Sequence, residues 1–93
     1  MPDTPEAVTG FITVDGPKLY SLHGYIVPAN GGELDSHEMH AKCPGGDWIP
    51  IGILGPSENT MIAEFRKGVP PEALDLRARS LSRNGDTSAW IYS

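Results

Sequence analysis

The C-terminal fifth of the chain alternates apolar or small residues with polar ones, and this period of two restricts its fold more than any other feature. Residues 74–81 and 87–92 alternate, and Asn84-Gly85 lies in the short segment between them. Successive side chains of a strand point to opposite faces, so this alternation is typical of half-buried strands. Asn and Gly both tolerate positive φ, which favours chain reversal between antiparallel strands. The sequence therefore predicts a C-terminal β-hairpin.

The rest of the chain consists of short apolar runs separated by turn residues. The 93 residues include 11 glycines and 9 prolines, most of them between these runs. The runs recur at intervals of roughly ten residues, as in a β-sandwich, and long helical periodicity is absent. We predict an all-β domain over residues 8–93, preceded by a flexible or extended Pro-rich arm at residues 1–7. The seven runs cover residues 11–14, 19–27, 36–43, 48–54, 60–65, 74–81 and 87–92.

Two runs carry more specific expectations. Pro50 cannot donate to a β-ladder, so the run at 48–54 is predicted to be an edge strand or to begin a strand. In the run at 60–65, Met61 and Phe65 are expected to face one way and Ile62 the other. Residues 29–32 contain Asn and two glycines and are expected to form a loop.

Charge and cysteine content exclude several classes of protein. The net charge of −5 argues against binding to nucleic acid, which needs a basic surface. Cys43 is the single cysteine, so no internal disulfide forms. No stretch is long and apolar enough to span a membrane, and the N-terminus lacks a signal-peptide pattern. We expect a soluble chain that is made in the cytoplasm and does not contact membranes.

Over residues 8–93 the order of features resembles a fibronectin type III domain. The matching features are an apolar strand that ends at Pro28, a Trp48-initiated edge strand, a Thr60-led strand before prolines 70–71, and residues 74–78 in apolar-x-apolar-Arg-small form. The resemblance implies a seven-stranded immunoglobulin-like (fibronectin type III-like) antiparallel β-sandwich. The chain departs from the family in two places. Leu74 stands where the family has its corner tyrosine, and the tryptophan usual near the end of the second strand is missing, with Tyr25 near that place.

The amino-acid sequence of the terminal hairpin is similar to that of fibronectin-like modules in tail and fibre proteins of tailed phages. The similarity covers about 16 residues, from Arg77 through Asn84-Gly85 to Trp90. It implies a structural protein of a phage particle.

Residues that carry chemistry are few. His37, His40 and Cys43 are spaced by three, but on a strand each step of three reverses the facing, and no second cluster completes a metal site. We expect exposed histidines and a small buried cysteine. Since no nucleophile constellation accompanies Cys43, we expect no catalytic residues, no metal and no cofactor, and no enzymatic activity.

Aromatic residues and the hairpin turn are the candidates for binding. Trp90 and Tyr92 share one face of a regular strand, opposite Ile91, and an exposed aromatic residue is a common anchor for a partner. Trp48 is expected in the core. Arg77 and Arg79 share a strand face and form, with Arg83, either a small basic patch or a solvated surface. The predicted partner-binding residues are Trp90, Tyr92, Arg83, Asn84 and Asp86.

Two classes of function fit these expectations. The first is a virion accessory protein that decorates a phage capsid or tail by docking on a repeated protein lattice, with its N-terminal arm extended onto a neighbouring subunit. The second is a carbohydrate-binding or spacer module of a larger extracellular enzyme or adhesin, which needs exposed coplanar aromatic rings. An inhibitor of a host protein is a third, less specific alternative. Edge strands of a sandwich also leave self-association open.

Overall fold

The computed structural model describes residues 3–28, 34–42, 45–65 and 74–93. Every regular element in these residues is a β-strand, so the prediction of an all-β chain is confirmed. The described residues contain no helix that could cross a membrane. The strands are β1 (Ala7–Gly16), β2 (Leu19–Val27), β3 (Leu34–Lys42), β4 (Ile49–Leu54), β5 (Thr60–Phe65), β6 (Asp75–Ser82) and β7 (Ile91–Tyr92).

The strands form two antiparallel sheets, an arrangement consistent with a β-sandwich. One sheet has the order β1-β2-β5 and the other the order β4-β3-β6-β7. Consecutive strands pair as β1 with β2 and β3 with β4, and β5 then returns to the first sheet. Each sheet contributes its apolar face to a shared core, which is how a half-buried sheet removes that face from water.

Alternation along β2, β3 and β6 supplies most of this core. In β6 the buried residues recur at every second position, so Leu76 and Ala78 face inward while Arg77 and Arg79 face outward. At Gly10 of β1 the sheets approach closely, because a Cβ there would lie 2.7 Å from both a Leu76 methyl group and the His23 carbonyl oxygen. The core residues are Val8, Leu22, Ile26, Met39, Ala41, Leu54, Leu76 and Ala78.

The expectations for β4 and β5 are confirmed. β4 is an edge strand of its sheet, and Pro50 lies opposite His40 beside a register shift in the ladder. Met61 and Phe65 are half-buried against the core, whereas Ile62 is exposed on the other face. β4 begins at Ile49, so Trp48 precedes the strand and does not initiate it.

The C-terminal hairpin is present, but its second strand is short. Gly85 has a φ of +92°, and Asn84 does not adopt positive φ. The Ser82 N–H donates to the Asp86 carbonyl at 2.9 Å and the Gly85 N–H to the Ser82 carbonyl at 3.1 Å. This is a three-residue loop with a left-handed glycine at its end. After an isolated bridge at Thr87, pairing with β6 resumes only at Ile91.

The first strand is longer than the predicted run at 11–14, since β1 begins at Ala7. The segment before it is anchored as well: Pro5 is buried, and the Glu6 N–H donates to the Val27 carbonyl oxygen at 3.0 Å. Ala7, assigned to the arm from sequence, therefore lies in the sheet. Cys43, the loop at 29–32 and the prolines at 70–71 lie outside the described residues.

Candidate functional site

The outer face of the four-stranded sheet gathers the aromatic residues predicted for binding. Trp90 and Tyr92 both lie on this face, while Ile91 packs toward the core, as the alternation predicts. The expectation that Trp48 is a core residue is wrong. Trp48 precedes β4 and lies on the same outer face, with its ring 5.8 Å from that of Tyr92. Aliphatic side chains and Met39 fill the interior, which leaves both tryptophans outside it.

Arginines of β6 cover the tryptophan rings. The Arg77 guanidinium lies 4.6 Å from the Trp48 ring centroid and 4.0 Å from that of Trp90. The Arg79 guanidinium lies 4.3 Å from the Trp90 centroid. These distances are within the range of cation–π contacts, and a guanidinium also stacks well on an aromatic plane. We call Trp48, Arg77, Trp90 and Arg79 the stacked cluster; it joins the ends of β4 and β7 to β6.

Two β3 side chains continue the cluster. His40 Nδ1 accepts hydrogen bonds from Arg77 Nε at 3.2 Å and Arg77 Nη2 at 3.0 Å, and the His40 ring lies 4.7 Å from that of Trp90. Arg79 Nε donates to Glu38 Oε2 at 2.8 Å. Burial lowers the pKa of His40, the charge on Arg77 lowers it further, and Glu38 opposes both effects. The polar groups of this face are thus largely committed to one another.

His37 lies on the opposite side of β3 from His40, and the expectation that it is exposed is wrong. Its side chain is fully buried, and burial lowers its pKa, an effect that a hydrogen bond with the Gly55 backbone partly offsets. The predicted opposite facing of the two histidines is confirmed. Among the described residues, no group of three or more His, Cys, Asp or Glu residues could hold a metal ion.

The turn residues predicted for binding lie at the tip of the hairpin. Asn84 Oδ1 accepts hydrogen bonds from the Ser82 hydroxyl and, at 3.3 Å, from the Asp86 N–H. Arg83, Asn84 and Asp86 are exposed. At about 3.3 Å per residue, Trp90 lies roughly 15 Å along the chain from Gly85. The structure therefore brings Trp90 and Tyr92 together with Trp48 and leaves the turn as a separate feature, whose polar atoms close the loop.

The outer face of the three-stranded sheet is a second candidate surface, which the sequence analysis missed. Phe11 is 62%, Ile62 64% and Tyr25 40% exposed. Tyr25 thus points away from the core and does not replace the family's buried tryptophan. We call Phe11, Tyr25 and Ile62 the apolar patch. The Phe11 ring stacks on His23 with centroids 4.7 Å apart and planes at 3°.

A groove crosses the apolar patch. Two cross-strand rows form its walls, Thr9–Tyr25–Thr60 and Phe11–His23–Ile62. Its volume is about 410 Å³, and the small residues Gly10 and Gly24 line its floor. The sequence shows that Phe11 and Ile62 point to the opposite face from their core neighbours, because they alternate with core residues along their strands. When both faces of a strand carry apolar residues, however, the sequence pattern does not show which face packs into the core.

A further groove of about 400 Å³ lies beside β4 on the four-stranded sheet. It is lined by Glu38, His40 and residues 50–53, and Ile53 is 72% exposed there. Its polar wall consists of side chains already paired with Arg77 and Arg79. This groove therefore offers an exposed apolar side chain, Ile53, and few unpaired polar groups that could recognise a ligand.

Comparison with protein-family models, curated proteins and solved structures finds no match to this chain. The two sheet faces are therefore interpreted from their own chemistry. One face is a self-paired aromatic and charged cluster. The other is a groove with three large exposed apolar side chains and, among the described residues that line it, no Asp, Glu, Lys or Arg.

Proposed function

We propose that this chain is a non-enzymatic docking domain that attaches to the protein lattice of a larger particle, such as a phage capsid or tail. Its contact surface in this proposal is the outer face of the three-stranded sheet. The apolar patch carries the proposal: Phe11, Tyr25 and Ile62 stand exposed around one groove. Contiguous exposed apolar surface on a small domain is typical of an interaction site.

The strand order supports a fibronectin type III-like sandwich as the scaffold. In the constant-type immunoglobulin arrangement, the fourth strand joins the sheet of the first, second and fifth strands. In this chain β4 instead pairs with β3 and extends the other sheet. This placement leaves a three-stranded sheet whose outer face is narrow and free of a fourth strand.

The chemistry of the groove favours a protein partner. Of the described residues that line the groove, His23 and Tyr25 are the titratable ones, and none is Asp, Glu, Lys or Arg. Exposed aromatic and aliphatic side chains of this kind anchor protein interfaces. The net charge of −5 is unfavourable for a nucleic-acid partner. In this proposal the partner is a virion lattice because the resemblance of the hairpin to phage tail and fibre modules implies one.

The geometry does not favour the alternative of a carbohydrate-binding module. Such a site needs exposed coplanar rings, but the Trp48 and Tyr92 planes meet at 50°. Arg77 stacks on both Trp48 and Trp90, which removes ring surface that a sugar would need. Tyr92, at 60% exposure, is the most accessible ring of this face.

Quantitative mass spectrometry of purified natural particles tests the proposal. We expect the chain at many copies per particle, and we expect Ile62→Lys to reduce incorporation strongly because it places a charge in the apolar patch. Ile53→Lys is the matched control, since it makes the same change at a similarly exposed site on the other sheet. This control should be incorporated normally.

Equal incorporation of the two variants would contradict the assignment of the docking face. Recovery of the chain only within a longer secreted polypeptide would contradict the virion role. Glycan binding by the purified chain would then be the next measurement.

A further inference from the structure

Among the described strands, β1 lies at the edge of its sheet, and the direction of its backbone groups follows from the strand register. The Ile26 N–H donates to the Asn59 carbonyl at 2.8 Å, so the backbone groups of Ile26 point toward β5. Direction alternates along an antiparallel strand, so the backbone groups of His23 and Tyr25 point toward β1. Their partners Phe11 and Thr9 therefore point toward β2. The outward groups of β1 are those of Val8, Gly10, Ile12 and Val14.

β1 is the least protected edge among the described strands. β4 carries Pro50 and a register shift within its ladder, and β7 has two residues. β1 also has a register shift, but it lies near the end of the strand, between Val14 and Gly16. β5 has six residues, one of them Glu64. β1 has ten residues, and its positions 7–14 contain no charged residue and no proline. Natural edge strands are usually blunted by charge, proline or short length, so an unblunted edge of this length is suited to pairing with another strand.

We propose that β1 pairs antiparallel with β1 of a second copy of this chain and that the two three-stranded sheets join into one six-stranded sheet. The occupant is a second copy because the edge is self-complementary about Phe11. With Phe11 opposite Phe11 on the two-fold axis, Val8 faces Val14 and Gly10 faces Ile12 across the interface. This register matches all four outward residues of each copy, whereas a shift by two residues in either direction leaves one unmatched.

Pairing in this register brings the Phe11 side chains of the two apolar patches together, while Ile62 stays two strands from the interface. Phe11 forms a non-hydrogen-bonded pair with its counterpart, in which side chains approach most closely, and aromatic pairs at such positions are favourable. The two grooves then lie on one continuous face. The inference does not depend on the lattice-docking proposal, because self-association is measured on the purified chain alone.

Charge predicts the salt dependence of this dimer. Each copy carries a net charge of −5. In this register the regular pairing ends at Val14, and Asp15, in the register shift that follows, comes near Glu6 of the other copy. Both ends of the joined strands therefore bring acidic groups together. We expect the dimer to tighten as salt is raised, because screening weakens repulsion between exposed charges.

Sedimentation velocity of the full chain tests the proposal. We expect a concentration-dependent monomer–dimer equilibrium and an increase in the dimer Kd of at least about tenfold for Phe11→Lys, which removes an aromatic pair and sets like charges opposite each other. Ile62→Lys is the matched control: the same charge on the same face but two strands away. It should leave the Kd within about twofold of the wild-type value.

A cysteine variant tests the register. In a Cys43→Ser background, Phe11→Cys should form an intermolecular disulfide with oxidised glutathione as oxidant, since the two residues face each other at a separation a disulfide can bridge. Thr13→Cys is the control, because it faces Thr9 rather than its own counterpart. It should stay largely uncrosslinked.

Three outcomes would overturn the proposal. The first is a chain that stays monomeric at all concentrations up to roughly 1 mM, because a dimer Kd above that value would be too weak for a specific contact. The second is equal Kd values for the two lysine variants, and the third is equal crosslinking of the two cysteine variants. Loss of lattice incorporation by Ile62→Lys with the dimer intact would separate the docking face from the dimer edge.

Discussion

At the scale of single residues, two buried serines differ in whether their hydroxyl groups have hydrogen-bond partners. Ser80 and Ser88 are both buried beside the hairpin, and the Ser80 N–H donates to the Ser88 hydroxyl oxygen at 2.9 Å. The Ser88 hydroxyl in turn donates to the Ala89 carbonyl at 2.9 Å. Among the described residues, the Ser80 hydroxyl oxygen has no hydrogen-bond partner. Neighbouring serines thus have opposite roles.

Alanine at the two positions should change stability in opposite directions. We expect Ser88→Ala to lower the free energy of unfolding by about 1–2 kcal/mol, because it removes the acceptor of a buried N–H. Ser80→Ala should raise it by up to about 1 kcal/mol, because it removes a buried hydroxyl that carries a desolvation cost. Urea denaturation of both variants measures the difference. A larger loss for Ser80→Ala than for Ser88→Ala would contradict this assignment.

At the scale of elements, the stacked cluster explains how a two-residue β7 stays attached to its sheet. β7 forms only the ladder pairs Arg77–Tyr92 and Ala78–Ile91 with β6. The Ser93 N–H adds a bond to the Leu76 carbonyl at 2.8 Å, and the Leu76 N–H donates to the Ser93 hydroxyl at 2.9 Å. Arg77 stacked between Trp48 and Trp90 then ties both edges of the sheet to its middle.

Arg77→Lys should loosen this attachment. Lysine keeps the charge but loses the planar surface that stacks on two rings and the fork that reaches His40, so we expect a loss of about 1–2 kcal/mol and a changed tryptophan fluorescence spectrum. Arg83→Lys, in the exposed hairpin turn, is the matched control and should leave both unchanged. Indistinguishable variants would show that the stacking adds nothing to stability.

The sequence predicted most elements but not the roles of their faces. The terminal hairpin, the edge position of β4 and the facing of β5 follow from alternation, Asn-Gly and Pro50, which act through local geometry. The burial of His37, the position of Trp48 outside the core and the exposure of Tyr25 do not follow from local geometry. These positions depend on which face of each sheet packs against the other sheet, and alternation alone does not show that.

For the whole molecule, a buried histidine links stability to pH. Burial lowers the pKa of His37 below that of an ordinary histidine, and the pKa of His40 is lowered as well. The folded chain therefore binds protons less readily than the unfolded chain. Stability is fully present above the unfolded pKa and is lost as pH falls below it.

We expect the free energy of unfolding to fall as pH is lowered from 7.5 toward 5, by at most about 1.4 kcal/mol per pH unit for each proton taken up on unfolding. His37→Gln should reduce this slope, because it removes the most buried titrating group. His23→Gln is the control at a partly exposed histidine on the outer sheet face. An unchanged slope in His37→Gln would assign the pH dependence to other groups.

The sequence by itself determined that the described part of the chain is all-β, roughly where its strands lie and that the last hairpin turns at Gly85, because these depend on side-chain period and on the φ preferences of Gly and Pro. Only the tertiary structure decided that the tryptophans lie outside the core under arginines, that Phe11, Tyr25 and Ile62 share one groove, and that β1 is an edge strand among the described residues. Those properties are set when the strands pair and the two sheets pack against each other. Each arises between residues distant in the chain, which local patterns do not encode.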